Sequence, residues 1–176
     1  YIIAAIALHG SDKFIVGVWD GYVLIDLIII DKCDADEVEK LLKSLATKHS
    51  VKRSNIAYDA DGLGAFLRGY LRAARPFNNG SKALRKENYS NLKSQCFYRF
   101  SKRLFDGQAG CIVQKYKEEI QQELEAVRKY KLDKEGKLSV TPKEAIKKLL
   151  GRSPDFAEAI MMRELFDLKG HVYASF

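Results

Sequence analysis

Three apolar runs joined by short polar turns occupy the first 32 residues and restrict the fold more than any other feature. YIIAAIAL (1–8) predicts a strand that is buried on both faces. KFIVGVWD (13–20) and YVLIDLIIIDK (22–32) predict two more strands, because both are rich in β-branched and aromatic residues and Asp20-Gly21 between them is a typical hairpin turn. Consecutive strands with tight connections predict an antiparallel meander.

A helix and a fourth strand are predicted next. The apolar residues of 36–47 fall on one helical face, and SNIAYDADGLG (54–64) predicts a short strand that ends at Asp59. The glycine loop after Asp59 leads into another predicted helix. A strand reached through a helix needs a crossover, so we expect it to pair in parallel with the first strand. The polar, basic segment 75–91 predicts an exposed loop.

The second half of the chain is mainly helical by the same criteria. Helices are predicted over 92–104, 113–130 and 144–150, with a turn and a short edge strand at 132–140. In GRSPDFAEAIMMRELF (151–166), Ser153 is the predicted N-cap of a last helix and Pro154 its first residue. Together the elements predict an α/β domain, in which helices cover both faces of a mixed sheet with an antiparallel meander and parallel strands.

Composition restricts the class of protein. A chain of 176 residues fits a single domain with a real core, and its start inside an apolar run leads us to expect one domain of a larger protein. The 30 Lys and Arg residues exceed the 23 Asp and Glu residues, giving a net charge of +7. A basic domain attracts polyanions, of which nucleic acid is the commonest, although the same surplus also serves plain solubility.

Cysteine spacing and hydropathy argue against secreted and membrane classes. Cys33, Cys96 and Cys111 are far apart and odd in number, which fits free or buried thiols in a reducing compartment rather than a disulfide framework or a zinc site. The longest apolar stretch, Val23–Ile30, is too short to span a bilayer and contains Asp26.

Acidic residues offer the clearest chemistry. Asp59 ends a predicted strand and Asp155 lies in the first turn of a predicted helix, with Asp61 and Glu158 as candidate outer members. Two-metal phosphodiester hydrolysis needs carboxylates from separate elements, and hard cations such as Mg²⁺ prefer oxygen ligands. For each acid alone a structural explanation is the simpler one, and the helix dipole already accounts for Asp155.

Other chemistries fit less well. His9, His49 and His171 have no partner at metal-ligand spacing, and neither a serine nucleophile elbow nor a GxxxxGK[ST] phosphate loop occurs.

Three pieces of the chain together resemble the nuclease domain of phage large terminase subunits. AAIALHGSDKFIVGVWDG is similar to the family's opening strand and hairpin, usually A-D-I-A-x-x-G-x-D. IAYDADGLG looks like the strand that bears the second acid, and KLSVTPKEAIKKLLGRSPDFAEAIMM resembles the C-terminal signature that ends in S-P-D-x-A-[DE]-A. NYSNLKSQCFYRF is similar to a segment between them, so the resemblance covers nearly the whole chain.

The resemblance implies a ribonuclease H-like fold and an endonuclease that uses two Mg²⁺ or Mn²⁺ ions to cut concatemeric double-stranded DNA during packaging. It implies that Asp59 and Asp155 are metal ligands, with Asp12 and Glu158 as supporting acids. The family's first metal acid corresponds to position 5, where this chain has Ala5. That departure implies a weakened or inactive centre.

The resemblance also implies partners: double-stranded DNA, an ATPase domain of the same protein, the terminase small subunit, and the portal or procapsid. It implies a protein of the host cytoplasm without membrane contact. Lys143, Lys147 and Arg152 flank the element that carries Asp155 and are candidate phosphate contacts. Two other interpretations stay open: a different ribonuclease H-like nuclease or resolvase, and a DNA-holding or portal-docking module that does not cut.

Overall fold

A computed structural model describes residues 1–5, 14–30, 35–61, 69 and 71–170. The strands are β1 Ile2–Ala5, β2 Phe14–Asp20, β3 Val23–Ile30, β4 Ile56–Asp59, β5 Arg75–Phe77 and β6 Gly110–Cys111. The helices within these residues are α1 Ala35–Lys48, α2 Leu92–Phe105, α3 Lys117–Ala126, α4 Lys143–Leu150, α5 Asp155–Met161 and α6 Glu164–Lys169. The described strands form a mixed sheet in the order β5-β4-β1-β2-β3-β6.

The predicted meander is confirmed in β1, β2 and β3. β2 pairs antiparallel with both neighbours, with Val18 opposite Ile2 and Phe14 opposite Ile30. The turn between β2 and β3 places Gly21 at φ +53, in the left-handed region that favours glycine. A tight turn therefore connects β2 and β3, which are neighbours both in sequence and in the sheet.

The predicted parallel pairing is confirmed on the other side of β1. Ile2 lies opposite Ile56 and Ala4 opposite Tyr58, so β1 and β4 end at the same edge of the sheet. The glycine loop predicted at 62–64 and most of the helix predicted after it lie outside the described residues. Because this pairing sets the register of β4 against β1, it places Asp59, the last residue of β4, beside the end of β1.

Two short strands correct the prediction. Segment 75–91 begins with β5, which pairs in parallel with β4 and buries Arg75 and Phe77, so it is not an exposed loop throughout. β6 is only two residues long and pairs in parallel with β3. Both strands are too short to show an apolar pattern in the sequence. Each forms where a neighbouring strand offers hydrogen-bond partners, which the local sequence does not reveal.

The helix predicted over 113–130 is also shorter than expected, since α3 ends at Ala126. Beyond it, the Thr141 N–H donates to the Arg128 carbonyl at 3.0 Å and the Tyr130 N–H donates to the Ser139 carbonyl at 2.9 Å. These backbone groups bond to the returning chain instead of continuing the helix. The turn and edge strand predicted at 132–140 belong to this returning segment.

Helices cover both faces of the sheet, as predicted. On one face Ile2, Ala4 and Tyr58 join a buried cluster with Val38 and Leu42 of α1. On the other face Ile3, Ala5 and Ala57 join a cluster with residues of α2, α3, α5 and α6. Burying each large apolar side chain contributes roughly 1.5–3 kcal/mol, so these two layers hold the sheet between the helices.

The described thiols behave as the sequence suggested, since Cys96 is buried, Cys111 is exposed and both are free. Cys33 lies outside the described residues. None of the described helices combines the length and the apolar character that crossing a bilayer requires.

Candidate active site

The carboxyl ends of β1 and β4 place position 5 beside Asp59. Ala4 is opposite Tyr58, so the next residues along the two parallel strands, Ala5 and Asp59, are neighbours at the strand spacing of about 5 Å. Ala5 and Ala57 belong to the cluster that packs against α5. Side chains alternate along a strand, so Asp59 lies on the same face as Ala57. Both positions therefore face the helix that carries Asp155.

Asp59 has an electrostatically unfavourable environment for a carboxylate. Burial, together with the nearby charges of Asp61 and Glu158, raises its pKa from 3.8 to about 6. The Asp61 N–H, which donates to Asp59 Oδ1 at 3.0 Å, and Lys143 act in the opposite direction without cancelling the effect. A carboxylate whose charge is incompletely compensated gains most from a bound cation.

Asp155 and Glu158 meet Lys143 on the helix side of the site. Asp155 is the first residue of α5 and only 8% exposed, with Oδ1 3.7 Å from Lys143 Nζ. Lys143 Nζ also donates to Glu158 Oε2 at 2.8 Å, and Lys93 pairs with the other Glu158 oxygen. Burial alone would raise the pKa of Glu158, but the two ammonium groups outweigh it and hold that pKa below its usual value.

The structure thus brings together most of the predicted acids. Asp59 interacts electrostatically with Glu158 and Lys143, and Lys143 contacts Asp155, so the end of β4 and the starts of α4 and α5 meet. Asp61 is tied to the loop before α2, because its Oδ2 accepts hydrogen bonds from Asn79 N and Nδ2, both at 3.0 Å. Asp12 lies outside the described residues.

Among the described residues the donor set falls short of a three-carboxylate metal centre. Within residues 1–5, 14–30, 35–61 and 71–170, no group of three or more His, Cys, Asp or Glu residues is arranged to hold a metal ion. Ala5 supplies no oxygen at the position beside Asp59. Asp59 and Asp155 still offer the oxygen ligands that a hard divalent cation prefers.

The three candidate phosphate contacts differ in their surroundings. Lys143 lies within the acid cluster, and Lys147 lies in the last turn of α4. Arg152 is paired with the buried carboxylate of Glu123, and its Nη2 is 3.4 Å from the Glu119 carbonyl. Contact of these residues with DNA stays a prediction.

Two residues that contact the site, Lys93 and Glu123, were not predicted from the sequence. Lys93 is 65 residues from its partner Glu158 in sequence, so no spacing pattern joins them. The predicted capping bond of Ser153 is wrong, because Ser153 Oγ is buried and has no hydrogen-bond partner in the described part of the chain. The start of α5 is bonded instead by Glu123, whose Oε2 accepts from the Ala157 N–H at 3.0 Å.

Comparison with known proteins finds structural relatives only. No protein-family model and no curated protein sequence matches the chain. The nuclease domain of the large terminase subunit of bacterial virus Sf6 matches with a TM-score of 0.76 and 22% identity, covering 92% of this chain and 86% of that one. The large terminase nuclease of thermophilic phage G20c matches with a TM-score of 0.63 and 15% identity, covering 93% and 80%.

The chain has the terminase nuclease fold. A third match, the large terminase nuclease domain of Thermus phage P74-26, has a TM-score of 0.56 and 17% identity over 93% of this chain and 78% of that one. The predicted resemblance and the ribonuclease H-like fold are therefore confirmed in three dimensions. Structures of the Sf6 domain with manganese, and of the G20c nuclease with cobalt or magnesium, belong to the same group of matches.

Proposed function

We propose that this chain is the nuclease domain of a phage or prophage large terminase subunit, built to cut concatemeric double-stranded DNA during packaging. The observation that carries the proposal is the meeting of Asp59 and Asp155 around Lys143 at the carboxyl end of the parallel pair β1 and β4. In sheets with parallel strands this edge is where ligands bind. The likeness to terminase nucleases, some of them solved with divalent metals, supports the same interpretation.

Asp59 and Asp155 are the residues that would hold Mg²⁺ or Mn²⁺. The raised pKa of Asp59 supports this assignment, since a nearby cation would offset the charge that burial disfavours. Two bound ions supply an activated water and a stabilised leaving oxygen in phosphodiester hydrolysis. Lys143 and Lys93 balance Glu158, which keeps several acids close together. Asp12 and Glu158 are proposed as supporting acids.

Positive charge would hold the duplex through its phosphates. The chain carries a net charge of +7, and we assign phosphate contacts to Lys143, Lys147 and Arg152 because they flank α5. Such contacts fix position and carry no sequence information, so binding should depend strongly on salt and weakly on base sequence. The ATPase domain, small subunit and portal are the protein partners that a packaging role requires.

Ala5 limits the proposed activity. An aspartate at this position would lie beside Asp59 and face α5, whereas alanine contributes neither charge nor oxygen. Losing one electrostatic contact of this kind costs roughly 3 kcal/mol of transition-state stabilisation. We therefore expect weak cutting by this chain.

The same observation favours a second candidate function. With Ala5 in place and no three-acid cluster among the described residues, the domain would serve as a DNA-holding or portal-docking module that does not cut. A different ribonuclease H-like nuclease or resolvase would be recognised by preferential cutting of branched over linear DNA.

Titration calorimetry with Mn²⁺ tests the proposal. The parent chain should bind Mn²⁺ at millimolar concentration or below, and Asp59→Asn and Asp155→Asn should each weaken binding, because each removes one anionic ligand. Asp106→Asn is the matched control, since Asp106 pairs with Lys102 on the far end of α2 and should not change the affinity. Absence of binding by the parent at millimolar Mn²⁺ would favour the module that does not cut.

A further inference from the structure

An ion pair between the buried Glu123 of α3 and the partly exposed Arg152 lies directly behind the helix that carries Asp155. Glu123 is 1% exposed. Its Oε1 pairs with the Arg152 guanidinium, and its Oε2 accepts the Ala157 N–H at 3.0 Å. Arg152 is itself held by the Glu119 carbonyl and by Gln122 Oε1, both 3.4 Å from Nη2. The pair therefore connects α3 to the first turn of α5.

The first turn of α5 donates a backbone hydrogen bond to this distant carboxylate. Pro154, which precedes the helix, makes no capping bond, and Ser153 Oγ has no hydrogen-bond partner among the described residues. Glu123 lies 34 residues away in sequence and supplies both the missing acceptor and a negative charge at the positive end of the helix.

The bond acts on the turn that bears the site acids. Ala157 stands between Asp155 and Glu158, so holding its backbone N–H fixes the turn from which both carboxylates project. Asp155 and Glu158 reach Lys143 from this turn, and Glu158 interacts electrostatically with Asp59 on β4. A shift of the turn would move both acids relative to Asp59.

The stability of the fold does not by itself explain a charged side chain at position 123. Burying a carboxylate for an ion pair adds little net stability over an apolar side chain of similar volume. Burial raises the pKa of Glu123 to about 7, against the opposing effect of the Ala157 N–H and Arg152, so keeping this carboxylate charged inside the protein costs free energy. We therefore look for the role of Glu123 in the geometry of the turn that it bonds rather than in stability.

We propose that Glu123 is a positioning residue, which holds the first turn of α5 so that Asp155 and Glu158 face Asp59. The proposal rests on the proposed function in one respect, namely that these acids bind metal. Residues that support metal ligands from behind typically change affinity 10- to 100-fold when replaced.

Two variants separate the hydrogen bond from the charge. Glu123→Gln keeps an oxygen for the Ala157 N–H and loses the charge, whereas Glu123→Met fills a similar volume and accepts no such bond. Calorimetry with Mn²⁺ should show affinity within about threefold of the parent for the glutamine variant and a loss of about tenfold or more for the methionine variant. Glu125→Met, on the exposed side of α3, is the control and should bind like the parent.

Amide hydrogen exchange supplies a readout that needs no metal. Exchange at the Ala157 N–H should stay slow in the parent and in Glu123→Gln and become fast in Glu123→Met. Failure of the parent to bind Mn²⁺ would contradict the proposed function. Amide exchange would still show whether Glu123 holds the first turn of α5. Equal Mn²⁺ affinity in a folded Glu123→Met variant would overturn the positioning role. If that variant does not fold, a loss of about tenfold or more in Glu123→Gln overturns it independently.

Discussion

Replacing Asp59 by asparagine should stabilise the metal-free protein at neutral pH, although the change removes a proposed metal ligand. The pKa of Asp59 is about 6 in the folded protein, against an ordinary value of 3.8. Each pKa unit corresponds to about 1.4 kcal/mol, so the charged carboxylate disfavours folding by up to about 3 kcal/mol. Asparagine keeps an oxygen for the Asp61 N–H but loses the attraction of Lys143. We therefore expect a net gain of about 1–2 kcal/mol in the free energy of unfolding.

The pH dependence identifies the cause. Because the folded-state pKa lies above the unfolded value, the folded protein holds the proton more tightly in the window between the two. The unfavourable contribution of Asp59 is absent below about pH 4, grows between about pH 4 and 6, and is complete above that range. The advantage of Asp59→Asn should follow the same course.

Urea denaturation of parent and variant in metal-free buffer, repeated between about pH 4 and 8, measures this advantage. Asp106→Asn is the control, since Asp106 pairs with Lys102 at the far end of α2 and is not among the charges that act on Asp59. Saturating Mn²⁺ should reverse the order of stability, because a ligand stabilises only the form that binds it. A variant less stable than the parent at pH 7.5, or an advantage that does not change with pH, would refute the reasoning.

Three further predictions concern the helix side of the site. Asp155→Asn should lower Mn²⁺ affinity and lower the free energy of unfolding by no more than about 1 kcal/mol, measured by calorimetry and urea denaturation, because asparagine keeps the polar contacts of the first turn. Arg152→Ala should destabilise the fold by about 1–3 kcal/mol, since it removes the cationic partner of the buried Glu123 while the Ala157 N–H stays bonded, whereas Lys147→Ala should have little effect in the same denaturation assay. The triple alanine variant of Lys143, Lys147 and Arg152 should bind duplex DNA more weakly and with a shallower salt dependence in fluorescence anisotropy, provided that circular dichroism shows it folded. Parent-like binding by that folded variant at low salt would place the DNA-binding surface elsewhere.

The sequence predicted the parts of the fold that local patterns determine. β2 and β3 follow from continuous apolar runs around Asp20-Gly21, and the parallel pairing of β4 follows from its arrival after a helix. β5 and β6 were not predicted, because strands of three and two residues are too short to show a periodicity. They form by pairing with β4 and β3, respectively. Length of pattern therefore decided which strands could be predicted.

The candidate acids could be named from the sequence, whereas their contacts could not. Asp59 and Asp155 were recognisable from a strand end and a helix start, and the resemblance singled them out. Lys93 and Glu123 were not, because their partners Glu158 and Ala157 are 65 and 34 residues away in sequence. The predicted capping bond of Ser153 was wrong because a carboxylate from another helix bonds the first turn of α5 instead. Only the tertiary structure reveals such a contact.

Plasmid nicking with Mn²⁺, by the chain as it stands and by Ala5→Asp, tests most directly whether the carboxyl ends of β1 and β4 form a DNA-cutting centre. Ala5 is 7% exposed and lies beside Asp59, so an aspartate there would complete the set of carboxylates. A gain of roughly 3 kcal/mol in transition-state stabilisation corresponds to an increase in rate of about 100-fold. We expect slow or undetectable nicking by the parent and clear nicking by Ala5→Asp. Equal and vigorous cutting by both proteins would contradict the assignment of position 5 to the metal centre.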